Sequence, residues 1–260
     1  VLPPNTNLSF WIQSGAEIIQ QRFTAPENYN LYPSAHLHTQ WLSGYGKGVM
    51  GDPTFDAYFA STVPSIIDPV LQQTAVRDAG AKLIERIGKK VILIGHSQGG
   101  VPLWLIADRA PELVRMIVAL EPAGPPFQDP AVFGRRDARS WGLSDIPITY
   151  SPPVTDPSAD IVKTRIPASN GSEECVLQAD DPPPRELVNL KGVRSLVVQA
   201  EASWHVLYDW CTVKFLKQAG VDAELVDLAS KGVKGNGHML MLEKNSDEVA
   251  EVVRVWIEGE

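Results

Sequence analysis

Nineteen residues, Lys90 to Asp108 (KVILIGHSQGGVPLWLIAD), constrain the fold more than any other stretch. A short apolar run, Val91-Ile92-Leu93-Ile94, meets Gly95-His96-Ser97-Gln98-Gly99 and passes at once into a helical pattern. An apolar run of this length, bounded by glycine, reads as a strand buried on both faces, as in a parallel sheet. The pentapeptide has the form G-x-S-x-G, which is common by itself. Between a strand and a helix it describes a sharp turn that lifts Ser97 above the sheet. The glycines at 95 and 99 are expected to allow the close backbone approach and unusual dihedrals of such a turn. Ser97 is the candidate nucleophile.

The chain around this stretch alternates strand and helix patterns. Ahead of it, Leu71, Ala75, Val76, Ala79, Leu83 and Ile84 recur at helical spacing between Asp68 and Ile87, with Gly88 as C-cap. After it, Pro102 falls in the first turn of a helix that Pro111 closes. Met116–Leu120, Ser195–Ala200 and Ala223–Leu228 read as further strands. Helices are expected over about Val206–Gln218 and Ser246–Ile257, the latter with Val249, Val252, Val253 and Trp256 on one face. This order implies an α/β fold, a mostly parallel sheet with helices on both faces. Residues 122–190 hold twelve of the 21 prolines and little periodicity, the pattern of a loop-rich insertion.

Composition narrows the function. With 260 residues, 44% of them hydrophobic, the chain can bury a sizeable core as one domain. A net charge of −8, with no stripe of Lys and Arg, argues against a nucleic-acid surface. No apolar run approaches the length that spans a bilayer, so a soluble protein is expected. Cys175 and Cys211 are too few for a disulfide framework or a zinc site; they form either one bridge or two buried thiols. The sequons at Asn7 and Asn170 tilt the expectation slightly toward secretion. His36 and His38 make an H-x-H pair with no Cys, Asp or Glu beside it, and read as loop residues rather than a metal half-site.

A nucleophilic serine needs a base, an acid that orients the base, and donors for the developing oxyanion. In a parallel sheet, cooperating groups leave the carboxyl ends of neighbouring strands. His238, in the glycine-rich loop before the last helix, is the candidate base. His96 is expected to point away from Ser97, His205 to be a pocket or structural residue, and His36 and His38 to stand too early in the chain. The acid is less settled: Glu121, Glu201 and Asp209 all follow strands, and placement favours Glu121 only slightly over Glu201. The Gln98 backbone N–H is the expected oxyanion donor.

Three blocks together resemble a subgroup of the α/β-hydrolase superfamily containing secreted bacterial esterases and fungal relatives: Gly95-His96-Ser97-Gln98-Gly99-Gly100, Leu120-Glu121-Pro122-Ala123-Gly124-Pro125-Pro126-Phe127 and Gly235-Asn236-Gly237-His238-Met239. The likeness extends to Ala35–Trp41, Gly51–Asp56 and Glu201–His205, and so to most of the chain. The Glu-Pro-x-Gly-Pro-Pro block is its more specific part. In that subgroup the triad acid is a Glu after the strand adjoining the nucleophile strand, which implies Glu121 here.

The departure from the subgroup is at the N-terminal side. Relatives carry earlier strands ending in a His-Gly-rich loop that supplies a second oxyanion donor, and this sequence has no such loop before Ser97. It begins at Val1, with no methionine and no signal-like segment. The expectation is that residues 1–260 are the C-terminal major part of one α/β-hydrolase domain, completed by an N-terminal companion fragment, with residues 122–190 as a cap or lid. Phe127, Trp141 and Tyr150 are expected either to line a substrate pocket or only to pin that insertion to the body. A bridge between Cys175 and Cys211 would tie the insertion to the core.

The expected activity is hydrolysis of a small-molecule carboxylic ester or lactone through an acyl-enzyme on Ser97, with no metal or organic cofactor called for. The same residues would serve non-hydrolytic acyl transfer, cyclisation or lyase chemistry, and a catalytically silent binding protein would share the fold. The sequence does not determine the oligomeric state.

Overall fold

A computed structural model describes residues 11–169 and 171–259. The sequon asparagines Asn7 and Asn170 lie outside the described residues. In chain order the strands are β1 (Trp11–Ile12), β2 (Ser65–Ile66), β3 (Val91–His96), β4 (Val114–Leu120), β5 (Lys163–Ile166), β6 (Cys175–Gln178), β7 (Arg194–Gln199) and β8 (Ala223–Asp227). The helices are α1 (Ala16–Ile19), α2 (Pro53–Ser61), α3 (Pro69–Ile87), α4 (Gly100–Arg109), α5 (Pro157–Asp160), α6 (Asp209–Gln218) and α7 (Ser246–Glu258).

Strands β3, β4, β7 and β8 form a parallel sheet in that spatial order. Side chains alternate across it with the two-residue period of a strand. Ile117 and Ala119 of β4 and Val197 of β7 face a core shared with α4 and α6. Met116 and Val118 of β4, with Leu196 and Val198 of β7, face the opposite core, where Val249, Val253 and Trp256 of α7 pack. The helices are bounded by the residues that the sequence suggests. The Asp68 side chain accepts the Val70 and Leu71 N–H groups at the start of α3, and Gly88 ends it with a φ of 65°.

The α3 face differs from the spacing argument. Only Gln73, Ala81 and Ile84 are buried, while Leu71, Val76 and Leu83 are exposed. Helix α3 meets α4 at Gly80, where an added Cβ would lie 2.3 Å from Ile106 Cδ1. Among the described residues β3 pairs with β4 alone, and Ile94 on it is 56% exposed. An apolar strand suited to a sheet interior therefore stands at an edge.

Residues 122–190 are more ordered than their prolines suggest. They hold α5 and the antiparallel pair β5–β6. Arg139, itself buried, donates to the Pro125 carbonyl at 3.1 Å, to Asp129 Oδ1 at 3.2 Å and to the Gln128 carbonyl. Cys175 of β6 and Cys211 of α6 are joined by a disulfide. Phe127, Trp141 and Tyr150 belong to the main core. Phe127 meets Phe215 edge-on at 5.4 Å, and the Tyr150 hydroxyl donates to the Trp141 carbonyl at 2.7 Å. These three residues pin the segment to the body. All three are almost fully buried there.

Candidate active site

The turn after β3 is tight because the backbone crowds it. A Cβ on Gly95 would lie 2.4 Å from the Gly99 carbonyl oxygen, and one on Gly100 would lie 2.5 Å from Pro122 Cβ. Gly99 has open space where a Cβ would go and an ordinary φ of −68°. The residues that sterics demand are thus 95 and 100, and not 99 as the pentapeptide suggests. Ser97 carries the strain, with a φ of 55°, a left-handed conformation costing a non-glycine residue roughly 1–2 kcal/mol. Gln98 follows in the 3-10 turn Ser97–Gly99 that leads into α4. Its N–H is one of the opening donors of that helical stretch, which have no acceptor within it.

Glu121 stands at the end of β4, the strand beside β3, and is also left-handed, with a φ of 44°. Its N–H donates to the Val198 carbonyl at 2.9 Å. The side chain is wholly buried. Oε1 accepts the Ala200 N–H at 2.8 Å; Oε2 accepts the Ser203 hydroxyl at 2.8 Å and His238 Nδ1–H at 2.6 Å. His238 Nε2 then lies 2.9 Å from Ser97 Oγ. Three strand-end loops, far apart in sequence, therefore meet in one continuous relay from carboxyl to imidazole to hydroxyl.

Burial governs the ionisation of this pair. It pushes the Glu121 carboxyl up to about 8. It holds the His238 imidazole well below its ordinary value, with His205 and His96 alongside adding to the depression. An unprotonated imidazole whose free lone pair faces a hydroxyl has the geometry that general-base chemistry requires.

The other histidines and acids take roles that sequence placement did not reveal. His96 was expected to point away, yet its ring centroid is 4.5 Å from that of His238 and its Nε2–H donates to the His238 carbonyl at 2.9 Å. Glu201 accepts the Gly235 N–H at 2.8 Å, and Asp209 pairs with His205 Nδ1 at 3.0 Å, so neither reaches His238. His36 is exposed, while His38 is buried between Glu27 and Glu243. The apolar rings against His238 are Trp204 and Phe23, with Tyr32 and Phe133 packed behind Trp204. Only Trp204 and His205 gave a signal in sequence, through the Glu201–His205 block; Phe23 and Glu243 gave none.

Glu121, His205 and His238 are the group among the described residues whose ligand atoms converge as a metal would require, within 4.8 Å of one another. Each imidazole nitrogen there already has a partner: Ser97 and Glu121 for His238, Asp209 and Tyr208 for His205. A metal ion would have to break the relay to bind.

The sequence model of the alpha/beta hydrolase family matches residues 42–252. The probable secreted lipase phiG of Fungal sp. (strain ATCC 74256) is 46% identical over 252 residues, which are 96% of this chain and 67% of that protein. Among solved structures, a novel bacterial esterase aligns with a TM-score of 0.46 and 17% identity over 84% of this chain; the chain spans 54% of the length of that protein. The carboxylesterase CesB of Bacillus subtilis aligns with a TM-score of 0.37 and 20% identity, covering 77% of this chain and 70% of the other.

Proposed function

The chain belongs to the alpha/beta hydrolase family, and on that premise we propose that it is a serine hydrolase of carboxylic esters, with Ser97, His238 and Glu121 as nucleophile, base and orienting acid. The observation that carries this reading is the relay itself, 2.6 Å from Glu121 to His238 and 2.9 Å from His238 to Ser97. His238 takes the hydroxyl proton as Ser97 attacks the ester carbonyl, and returns it to the leaving alcohol. Water, activated by the same base, then releases the acid from the acyl-enzyme. The Gln98 N–H binds the oxyanion at the opening of the helix, where the dipole favours negative charge.

A lipophilic acyl ester is the favoured substrate, with lactones in the same chemical class. The apolar surround of His238 supports it, as does the name of the fungal relative, which also favours secretion. The proposal extends to the edge of β3 that no described residue pairs with, which an N-terminal companion segment of the same domain covers as a further strand. The exposed apolar side chain of Ile94 on β3 supports that assignment. A native mass equal to this chain alone, in a fully active particle, overturns it.

The deciding test of the reaction is a fluorophosphonate probe with turnover of p-nitrophenyl esters of graded chain length. One probe per chain, placed on Ser97, and loss of turnover in Ser97→Ala are expected. Full turnover by Ser97→Ala ends the proposal.

A further inference from the structure

Outside the reacting atoms, one buried charged cluster reaches the same loop. His38 Nδ1 meets Glu27 Oε2 at 2.6 Å and Nε2 meets Glu243 Oε1 at 3.0 Å, with all three side chains fully buried. Carboxylate oxygens only accept, and a neutral imidazole has a single N–H. The imidazolium is the form that satisfies both contacts while both acids are ionised. The remaining acceptor capacity is also used. Glu27 Oε1 takes the Gly46 N–H at 2.7 Å, and Glu243 Oε2 takes Asn236 Nδ2 at 2.6 Å.

Glu243 is the link to the site. Its Oε1, besides meeting His38, accepts the Gly237 N–H at 2.8 Å. It therefore grips the two residues immediately before His238. The His38 ring packs on the same spot, since a Cβ on Gly237 would lie 3.0 Å from His38 Cδ2 and 3.3 Å from its Nε2. Flanking backbone bonds hold the two segments together: Thr39 N–H to the Gly235 carbonyl at 2.9 Å, and Lys244 N–H to the Gln40 carbonyl at 2.8 Å.

We infer that Glu27, His38 and Glu243 form an ionic clamp that positions the His238 loop, with a protonated His38 as its keystone. The inference rests on the Ser97–His238–Glu121 reading and adds residues to it that touch no reacting atom; His38 and Glu243 are positioning residues. The groups facing His38 are Glu27 from the turn at Pro26–Asn28, Glu243 from the turn ahead of α7, and the backbone of Gly237. Tyr32 lies near both acids, and burial, together with Glu121, Glu27 and Glu243, keeps its hydroxyl protonated. Desolvation lowers His38, but the hydrogen bonds to Glu243 and Glu27 together with the charges of both acids outweigh that and hold it up at about 9. A raised value means that the clamp is present at neutral pH and is lost as pH rises through about 9. Above that, Glu243 loses its counter-charge and the loop its aim.

The test compares pH profiles of kcat in the wild type, Glu27→Gln and His38→Gln, with a separate wild-type sample labelled at Ser97 by a fluorophosphonate beforehand. Labelling decides the reaction reading separately. Wild-type kcat is expected to fall on the alkaline side near pH 9. Glu27→Gln removes one of the two supporting charges and moves that limb down by about one pH unit, while the acid limb and KM stay put. His38→Gln loses at least about tenfold in kcat at every pH and shows no such limb. A purely structural role would lower activity without moving a limb. An alkaline limb that is the same in Glu27→Gln and the wild type, or full kcat in His38→Gln, overturns the clamp. If the variants do not fold, NMR of the histidine-labelled wild type decides: His38 doubly protonated at pH 8 supports the clamp, and a neutral ring at pH 7 overturns it.

Discussion

His205 lies flat on His238, with ring centroids 5.0 Å apart and planes 7° from parallel. His205 is engaged through both nitrogens, with Asp209 at 3.0 Å and with the Tyr208 hydroxyl at 3.1 Å. Burial holds it down at about 4, so the stacked ring is uncharged at neutral pH. The stack shields one face of His238 from water and places no second positive charge beside the imidazolium that the proposed reaction forms.

This shielding sets the acid limit of activity. Sequence placement alone suggests a rise through an ordinary histidine value, but burial keeps His238 well below 6.5. Only the unprotonated ring acts as base, so protonation of His238 removes activity only as pH falls through the depressed value. The profile of kcat/KM against pH is expected to have its acid midpoint below 6.5. A midpoint at or above that value contradicts the shielding.

Glu121→Gln keeps the shape of the side chain but replaces a carboxyl that can ionise opposite an imidazolium with an amide that cannot. The Ala200 N–H, the Ser203 hydroxyl and His238 Nδ1 all point at its oxygens. The expected loss in kcat is about 10³–10⁴, the scale seen when the orienting acid of a serine triad becomes an amide. Steady-state kinetics with circular dichroism as a folding control measures it. A loss below about tenfold would return the acid's role to another carboxylate.

The two glycines after Ser97 are expected to behave differently. Gly100→Ala forces a methyl group to within 2.5 Å of Pro122 Cβ and 2.8 Å of Pro122 Cα, between the nucleophile turn and the Glu121 turn. Overpacking of this kind costs about 1–3 kcal/mol, and activity falls with it. Gly99→Ala meets nothing within 4 Å at a helical φ of −68°, and should change stability by less than about 1 kcal/mol. Denaturant midpoints of both variants test the contrast.

The Cys175–Cys211 bridge closes a sequence separation of 36 residues. Loop-closure entropy for that length amounts to about 2–4 kcal/mol. Reduction, or Cys175→Ser with Cys211→Ser, should lower stability by that amount and loosen β6 from α6. Thiol titration of the denatured, unreduced protein should find no free thiol; two thiols would contradict the bridge.

Much of the site was legible because strand-end chemistry follows from pattern. The apolar run before Gly95 marked β3, and the first residue after β4 was an acid. The choice between Glu121 and Glu201 was not legible from spacing, since both follow parallel strands. It depends on β4 lying between β3 and β7, and on a left-handed Glu121 turning its carboxyl under His238. By sequence His38 reads as a loop residue because no acid adjoins it; its acids come from eleven residues upstream and 205 residues downstream. By sequence Phe127, Trp141 and Tyr150 are equally apt for a pocket or for packing, because an apolar ring lines a wall as readily as it fills a core.

By itself, the sequence determined the strand–turn–helix at Ser97, the parallel α/β order and the histidine before the last helix. Those features follow from local periodicity and from glycine positions, which neighbouring residues settle among themselves. Tertiary structure decided which acid meets His238, which rings bury it and which charges contact its loop. Each of these is a meeting of side chains up to 205 residues apart, and depends on strand order and on the solvent removed when the layers close.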